Sequence, residues 1–163
     1  MANFVIPTPR LTLVLKTPSE VLAWVASLPP ADQAEVSPEW IARVRSAVDG
    51  DPWALSYTVV YSTTGAAVGG CAFKGPPDDA GMVELAYFIE PPHRGQGLAT
   101  EVARALSDFA LSTTGVKLVR GHNKSDNVAS ARVLEKCGFH RVGEVIDPED
   151  GLVVRWERRL GDR

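Results

Sequence analysis

One stretch of the chain fixes a local architecture. Met82 to Ile89 alternates as a strand does, and Pro91-Pro92 ends it, because proline cannot donate to a ladder. The loop Arg94-Gly95-Gln96-Gly97-Leu98-Ala99 follows. From there Leu98, Val102, Ala105, Leu106, Phe109 and Ala110 recur at helical spacing. A strand, a glycine turn and an amphipathic helix therefore succeed one another. The start of such a helix carries unpaired N–H groups and a partial positive charge, which makes it a site for anions. Gly95 and Gly97 allow positive φ and close backbone approach, and Arg94 adds a permanently charged planar donor. The same glycines would equally serve a tight turn with no ligand. A Walker loop is excluded because no Gly-Lys-Ser/Thr follows the first glycine. A dinucleotide fingerprint is excluded because position 100 is Thr100 and no acid ends the next strand.

Upstream, Leu11-Thr12-Leu13-Val14-Leu15 reads as the first strand. Thr17-Pro18-Ser19-Glu20 is a capping box with Pro18 at the first helical position, and Val21, Leu22 and Val25 share a face of the helix it opens. Pro29-Pro30 stops that helix. Ser37-Pro38 opens another, lined by Trp40, Ile41, Val44 and Val48 and closed by Gly50-Asp51-Pro52. Residues 53–62 and 66–73 read as a hairpin around Thr63-Thr64-Gly65. Downstream come a short strand over 117–121 and a helix over 126–137 capped by Gly138. A strand pair over 142–146 and 152–156 closes the series. The order β-αα-βββ-α-β-α-ββ predicts an α+β fold, a single mixed and mostly antiparallel sheet flanked by helices. No repeat or linker interrupts residues 1–163, so one domain is expected.

Composition narrows the function classes. Hydrophobic residues make up 45%, enough for a packed interior. A net charge of -3 gives no basic field for nucleic acid or membrane. No apolar run approaches the ~20 residues of a bilayer span, and Met1 to Arg10 holds no signal-peptide core. Cys71 and Cys137 form neither a disulfide framework nor a CxxC pair. A cytoplasmic protein is expected.

Two separated motifs then point to one family. Arg94-Gly95-Gln96-Gly97-Leu98-Ala99 resembles the Arg/Gln-x-x-Gly-x-Gly/Ala signature with which the GNAT N-acetyltransferase superfamily binds the CoA pyrophosphate. It follows Glu84-Leu85-Ala86-Tyr87-Phe88-Ile89, which is similar to that family's fourth strand. The run from Asn127-Val128-Ala129-Ser130 to Leu134-Glu135-Lys136-Cys137-Gly138-Phe139 resembles a stretch of the branch holding the ribosomal-protein alanine N-acetyltransferases. Matching motifs run from about Glu84 to Gly143. The resemblance implies transfer of acetyl from acetyl-CoA, a cosubstrate, to a primary amine by direct attack, with no metal. The acceptor would be a protein N-terminus or a small-molecule amine. Family members are often dimers, so a homodimer is compatible, though no patch specifies one. The competing reading is a non-catalytic acyl-CoA-binding or sensor module that keeps the loop but lacks a working base.

The implied chemistry needs a proton acceptor, because an alkyl ammonium with a reference pKa of about 10.4 is only ~1 part in 10³ neutral at pH 7. Glu84 is one candidate base, on the strand face of Ala86 and Phe88; its alternative is a strand-edge salt bridge. His122, at the end of the next strand, is a rival base or else a solvated loop histidine. His93 and His140 read as surface or loop residues. The oxyanion donor is expected to be a backbone N–H near Phe88 or Ile89. Many family members protonate the leaving thiolate with a tyrosine where this chain has Leu134, so Ser130, the acid proposed in the resembling branch, takes that role or merely bonds the backbone. Asn127 caps its helix and, in the family, contacts the pantetheine arm. Ala86 stands where the branch usually has glycine, a departure compatible with cofactor binding that weakens any transfer of substrate identity. Trp24, Trp40 and Trp53 are expected in the core or in one wall of the acceptor pocket.

Overall fold

The computed structural model describes residues 4–162. It forms one eight-stranded sheet in the order β1-β2-β3-β4-β5-β6-β8-β7. The strands are β1 (Val5–Pro7), β2 (Leu11–Leu15), β3 (Tyr57–Tyr61), β4 (Ala67–Phe73), β5 (Met82–Ile89), β6 (Leu118–Asn123), β7 (His140–Asp147) and β8 (Gly151–Arg159). All neighbours pair antiparallel except β5 and β6, which are parallel. A parallel pair needs a crossover, and helix α4 (Leu98–Ser112) supplies it. The other helices are α1 (Pro18–Ser27), α2 (Pro30–Ala34), α3 (Pro38–Ser46) and α5 (Val128–Lys136).

The capping residues act as their chemistry requires. Thr17 Oγ1 accepts from the Glu20 N–H at 3.2 Å, Ser37 Oγ accepts from the Trp40 N–H at 3.3 Å, and Gly138 sits at φ 87 after α5. Other segments depart from the pattern. Pro29-Pro30 ends α1 at extended Leu28 as expected, but Pro30 then opens a further short helix, α2, where its missing N–H costs no bond. Residues 53–55 form a turn rather than strand, because Asp51 Oδ1 accepts from the N–H groups of Trp53 and Ala54. Val48 lies past the end of α3 and is 72% exposed, so it lines no helix face. β1, a short edge strand ending in Pro7, has no counterpart among the expected strands.

Alternation sorts the sheet into two faces. Leu85 and Ile89 of β5 are buried, and they join Leu11, Leu13, Val59, Phe73 and the inner side of α4 in one core. α5 covers the same face: Leu134 is 1% exposed, and a Cβ on Gly121 of β6 would lie 3.0 Å from its Cδ2. Glu84, Ala86 and Phe88 point to the opposite face. Between the faces the sheet opens. β5 and β6 pair only through Met82–Leu118, Val83–Val119 and Glu84–Arg120. Beyond Glu84 they diverge, leaving a notch with Glu84 at its apex.

Candidate active site

The turn into α4 presents donors with nothing to bond. Gly95 and Gly97 adopt φ 80 and 79, and no side chain caps the helix. Among the described residues, none of the N–H groups from Gly95 to Thr100 donates to a protein acceptor. The turn is held from its carbonyl side instead. Arg10 Nη1 donates to Gln96 O at 3.1 Å while its Nε pairs with Glu101, and Arg94 Nε donates to Ile89 O at 2.7 Å. A concave set of free amides at a helix start fits a phosphate group. Gly95, Gln96, Gly97, Leu98, Ala99 and Arg94 all belong to this turn.

On the face opposite α4 and α5, a polar cluster surrounds the notch. Glu84 Oε2 lies 2.9 Å from Lys74 Nζ and 3.3 Å from His122 Nδ1. Lys74 also pairs with Asp150 at 3.2 Å, and His122 Nδ1 lies 3.9 Å from Asp147. Burial works against the Lys74 charge, but Glu84 and Asp150 outweigh it and hold the ammonium above its ordinary range. Burial likewise opposes charge on Asp147, but the N–H groups of Asp150 and Glu149, together with Lys74 and His122, bring its carboxyl below the usual range. His122 is not a solvated loop residue. β6 continues through Asn123, and the His122 side chain is 5% exposed. Arg155 Nε donates to His122 Nε2 at 3.1 Å, which places the ring proton on Nδ1, where it is buried without a hydrogen-bond partner. Glu84, His122 and Asp147 bring three potential metal-ligand atoms within 4.8 Å of one another. The Lys74 ammonium already provides the positive charge beside them.

On the α5 side of the notch stand two hydroxyls. Tyr87 Oη and Ser130 Oγ are 3.2 Å apart. Burial raises the Tyr87 phenol above its ordinary range. Ser130 is held at the first turn of α5 by Asn127, whose Oδ1 accepts from the Ser130 N–H at 3.0 Å. Buried Asn123 ties this corner down, accepting from Trp156 Nε1 at 2.7 Å and donating to the carbonyls of Lys124 and Asn127. The backbone of β5 divides by parity. Glu84 O and Glu90 N bond to β4, so Phe88 between them turns its N–H to β4 as well. The N–H groups of Tyr87 and Ile89 face the open notch instead.

Two cavities meet here. One of about 160 Å³ contains Glu84, Tyr87, His122 and Ser130. The other, about 500 Å³, lies over β3, β4 and β5 and is walled by Trp24 and Trp40. They share Lys74, Ala86 and Tyr87. Trp53 instead packs in the core, with its ring centroid 4.8 Å from Phe73. His93 lies edge-on to Tyr61, and His140 is exposed at the start of β7. Lys74, Asp147, Asp150 and Arg155 carry no motif in the sequence, and Tyr87 lies in the fourth-strand motif with no role assigned to it there; only the sheet topology brings them to the notch.

The profile of the acetyltransferase (GNAT) domain matches residues 8–140. The chain belongs to the GNAT acetyltransferase family. The uncharacterized N-acetyltransferase YjdG of Bacillus subtilis strain 168 is 36% identical over 84 residues, 52% of this GNAT chain and 50% of that protein. The chain spans about half the length of the curated relatives it matches. Among solved structures, the ribosomal L7/L12 alpha-N-protein acetyltransferase RimL, in complex with coenzyme A, superposes with a TM-score of 0.71 at 19% identity, over 96% of this chain and 98% of that one. Aminoglycoside acetyltransferase AAC(6')-Ib, in complex with coenzyme A and kanamycin, superposes with a TM-score of 0.65 at 21% identity, over 91% and 94%. At these identities the superpositions establish the GNAT fold. Among the described residues no helix is long and apolar enough to cross a membrane.

Proposed function

We propose that this chain is an acetyl-CoA-dependent N-acetyltransferase acting on a primary amine in the cytoplasm, where Cys71 and Cys137 stay as free thiols. The observation that carries the reading is the run of unbonded N–H groups from Gly95 to Thr100 beside a notch that ends at Glu84. Those amides and Arg94 would hold the diphosphate of acetyl-CoA, which supplies an activated acetyl group when bound; Asn127 Nδ2 is left free for its pantetheine arm.

Glu84 is the proton acceptor in this reading. His122 has its one lone-pair nitrogen occupied by Arg155 and sets Nδ1 3.3 Å from Glu84 Oε2 with no hydrogen bond between them, so it packs beside the carboxylate rather than taking a proton. Glu84 Oε2 is ion-paired with Lys74, which leaves Oε1 to receive the amine proton directly or through a water. The N–H groups of Tyr87 and Ile89 are the available donors for charge that develops on the acetyl oxygen. Leu134 cannot donate a proton and packs against Gly121. Ser130 takes that role, backed by Tyr87, whose raised phenol stays protonated at neutral pH.

Release of free CoA thiol in the presence of a panel of primary amines tests the reading; no release with any amine would overturn it. Ser130→Ala and Tyr87→Phe are each expected to lower kcat by about 10- to 100-fold. This is the low end of general acid catalysis, since a thiol with a reference pKa near 8.5 leaves with modest help. The double variant should lose little more than the worse single one, because the two hydroxyls act as a unit. Fully additive losses would mean that they act separately.

A further inference from the structure

The larger cavity holds cations that the chemistry above does not use. Lys16, just past β2, and Arg43, on α3, both line it. Among the described residues neither has a carboxylate within ion-pair distance. Arg43 Nη2 donates to the Lys74 carbonyl at 2.6 Å, and its Nε–H is buried with no partner. Lys16 Nζ lies 5.4 Å from the centroid of the Trp24 ring, and burial moves its pKa below the ordinary lysine range. Lys74, the third cation of the cavity, is neutralised by Glu84 and Asp150. The acids on the lining, Glu90 and Glu149, are exposed. Trp24, Trp40, Phe73 and Phe88 make much of the rest apolar. A charge against an apolar wall is costly without a counter-charge. Glu20 acts on Lys16, and Arg43 on Glu39, from beyond ion-pair distance; with no direct partner, the two cations still select for an anion on the ligand in the cavity that opens onto Glu84.

This step rests on the N-acetyltransferase reading. We propose that the acceptor is a peptide N-terminus with an acidic side chain among its first few residues, its amine at the notch and its carboxylate against Lys16 and Arg43. The spacing favours a peptide over a free amino acid. Lys16 N bonds Ser56 O, and the register carries that row through β4 to the pair Ala72–Ala86 on β5. Three strand steps of roughly 4.8 Å separate the backbones of Lys16 and Ala86 by about 14 Å. An extended chain at about 3.3–3.6 Å per residue covers that span in some four residues. An α-amino acid carries its amine and carboxylate on one carbon and cannot reach both ends. Polyamines and aminoglycosides would set a further ammonium against Lys16 and Arg43.

The test compares three amidated tetrapeptides, Ser-Ala-Glu-Ala, Ser-Ala-Gln-Ala and Ser-Ala-Lys-Ala, together with a polyamine. Two quantities are read: kcat/KM for acetyl transfer, and each peptide's dissociation constant measured without acetyl-CoA. The glutamate peptide is expected to exceed the glutamine peptide by about 10-fold and the lysine peptide by about 100-fold, chiefly through KM and Kd. Lys16→Glu should reverse the glutamate-to-lysine order, and the milder Lys16→Met should shrink the ratio towards one if the charge reversal does not fold. Equal use of all three peptides, or preference for the lysine peptide or the polyamine, would overturn the proposed acceptor while leaving N-acetyl transfer intact. Failure to acetylate any amine would overturn the reading beneath it.

Discussion

Replacing Gly97 by valine is expected to abolish the thermal protection that acetyl-CoA confers. A ligand at 100 times its Kd stabilises the folded state by about 2.7 kcal/mol. For a chain of this size that corresponds to a rise in Tm of roughly 5–10 °C, at about 2–4 °C per kcal/mol. Gly97 holds φ 79 at the start of α4. A Cβ there would come no closer than 3.5 Å to Arg10, so crowding is not what a side chain would meet. The cost is conformational: a β-branched residue in the left-handed region is strained by about 1–3 kcal/mol, and relaxing that strain rotates the amides out of their concave set. The comparison uses the shift that ligand causes in each protein, so a lower starting Tm in the variant does not blur it. Equal shifts in wild type and variant would mean that the turn does not hold the coenzyme.

Glu84→Gln should produce the largest loss of turnover, about 10²- to 10⁴-fold in kcat, the usual contribution of a positioned general base. The substitution keeps the shape, and Lys74 keeps Asp150 as a partner at 3.2 Å, so the fold and the acetyl-CoA thermal shift should survive. The loss should narrow at alkaline pH for an α-amine, whose reference pKa of about 7.7–8.0 makes it self-sufficient sooner than an alkyl amine near 10.4. His122→Gln should cost less, about 10-fold, because that residue packs beside the carboxylate and its lone-pair nitrogen is taken by Arg155. A His122 loss equal to the Glu84 loss would transfer the proton to the histidine. Wild-type protein that binds acetyl-CoA yet acetylates no amine would instead be a sensor.

Several parts of this architecture were legible because they depend on neighbours in sequence. The alternation of Met82–Ile89, the capping box at Thr17 and the glycines before Leu98 each encode a local backbone choice, and each element forms where its pattern predicts. Pro29-Pro30 ends α1, but the short α2 after it was not legible, because proline suits a first helical turn as well as it ends a helix. The strand expected from Trp53 was lost to Asp51, whose side chain satisfies two backbone N–H groups and makes a turn cheaper than a ladder. The chemistry around the notch was less legible. Lys74 meets Glu84 across β4 and β5, Arg155 meets His122 across β6 and β8, and Tyr87 meets Ser130 at a separation of 43 residues. Those meetings depend on strand order and register, which no local pattern carries. The direction of the Phe88 N–H likewise follows from which residue of β4 pairs with it.

The central claim is that the amides opening α4 grip a diphosphate. Amide chemical shifts of the ¹⁵N-labelled protein, followed as CoA is added, test it directly. The N–H signals of Gln96, Gly97, Leu98, Ala99 and Thr100 should move downfield together and saturate with one dissociation constant, as donors newly bonded to phosphate oxygens do. Saturating CoA that leaves those signals unmoved, while amides elsewhere shift, would contradict the account.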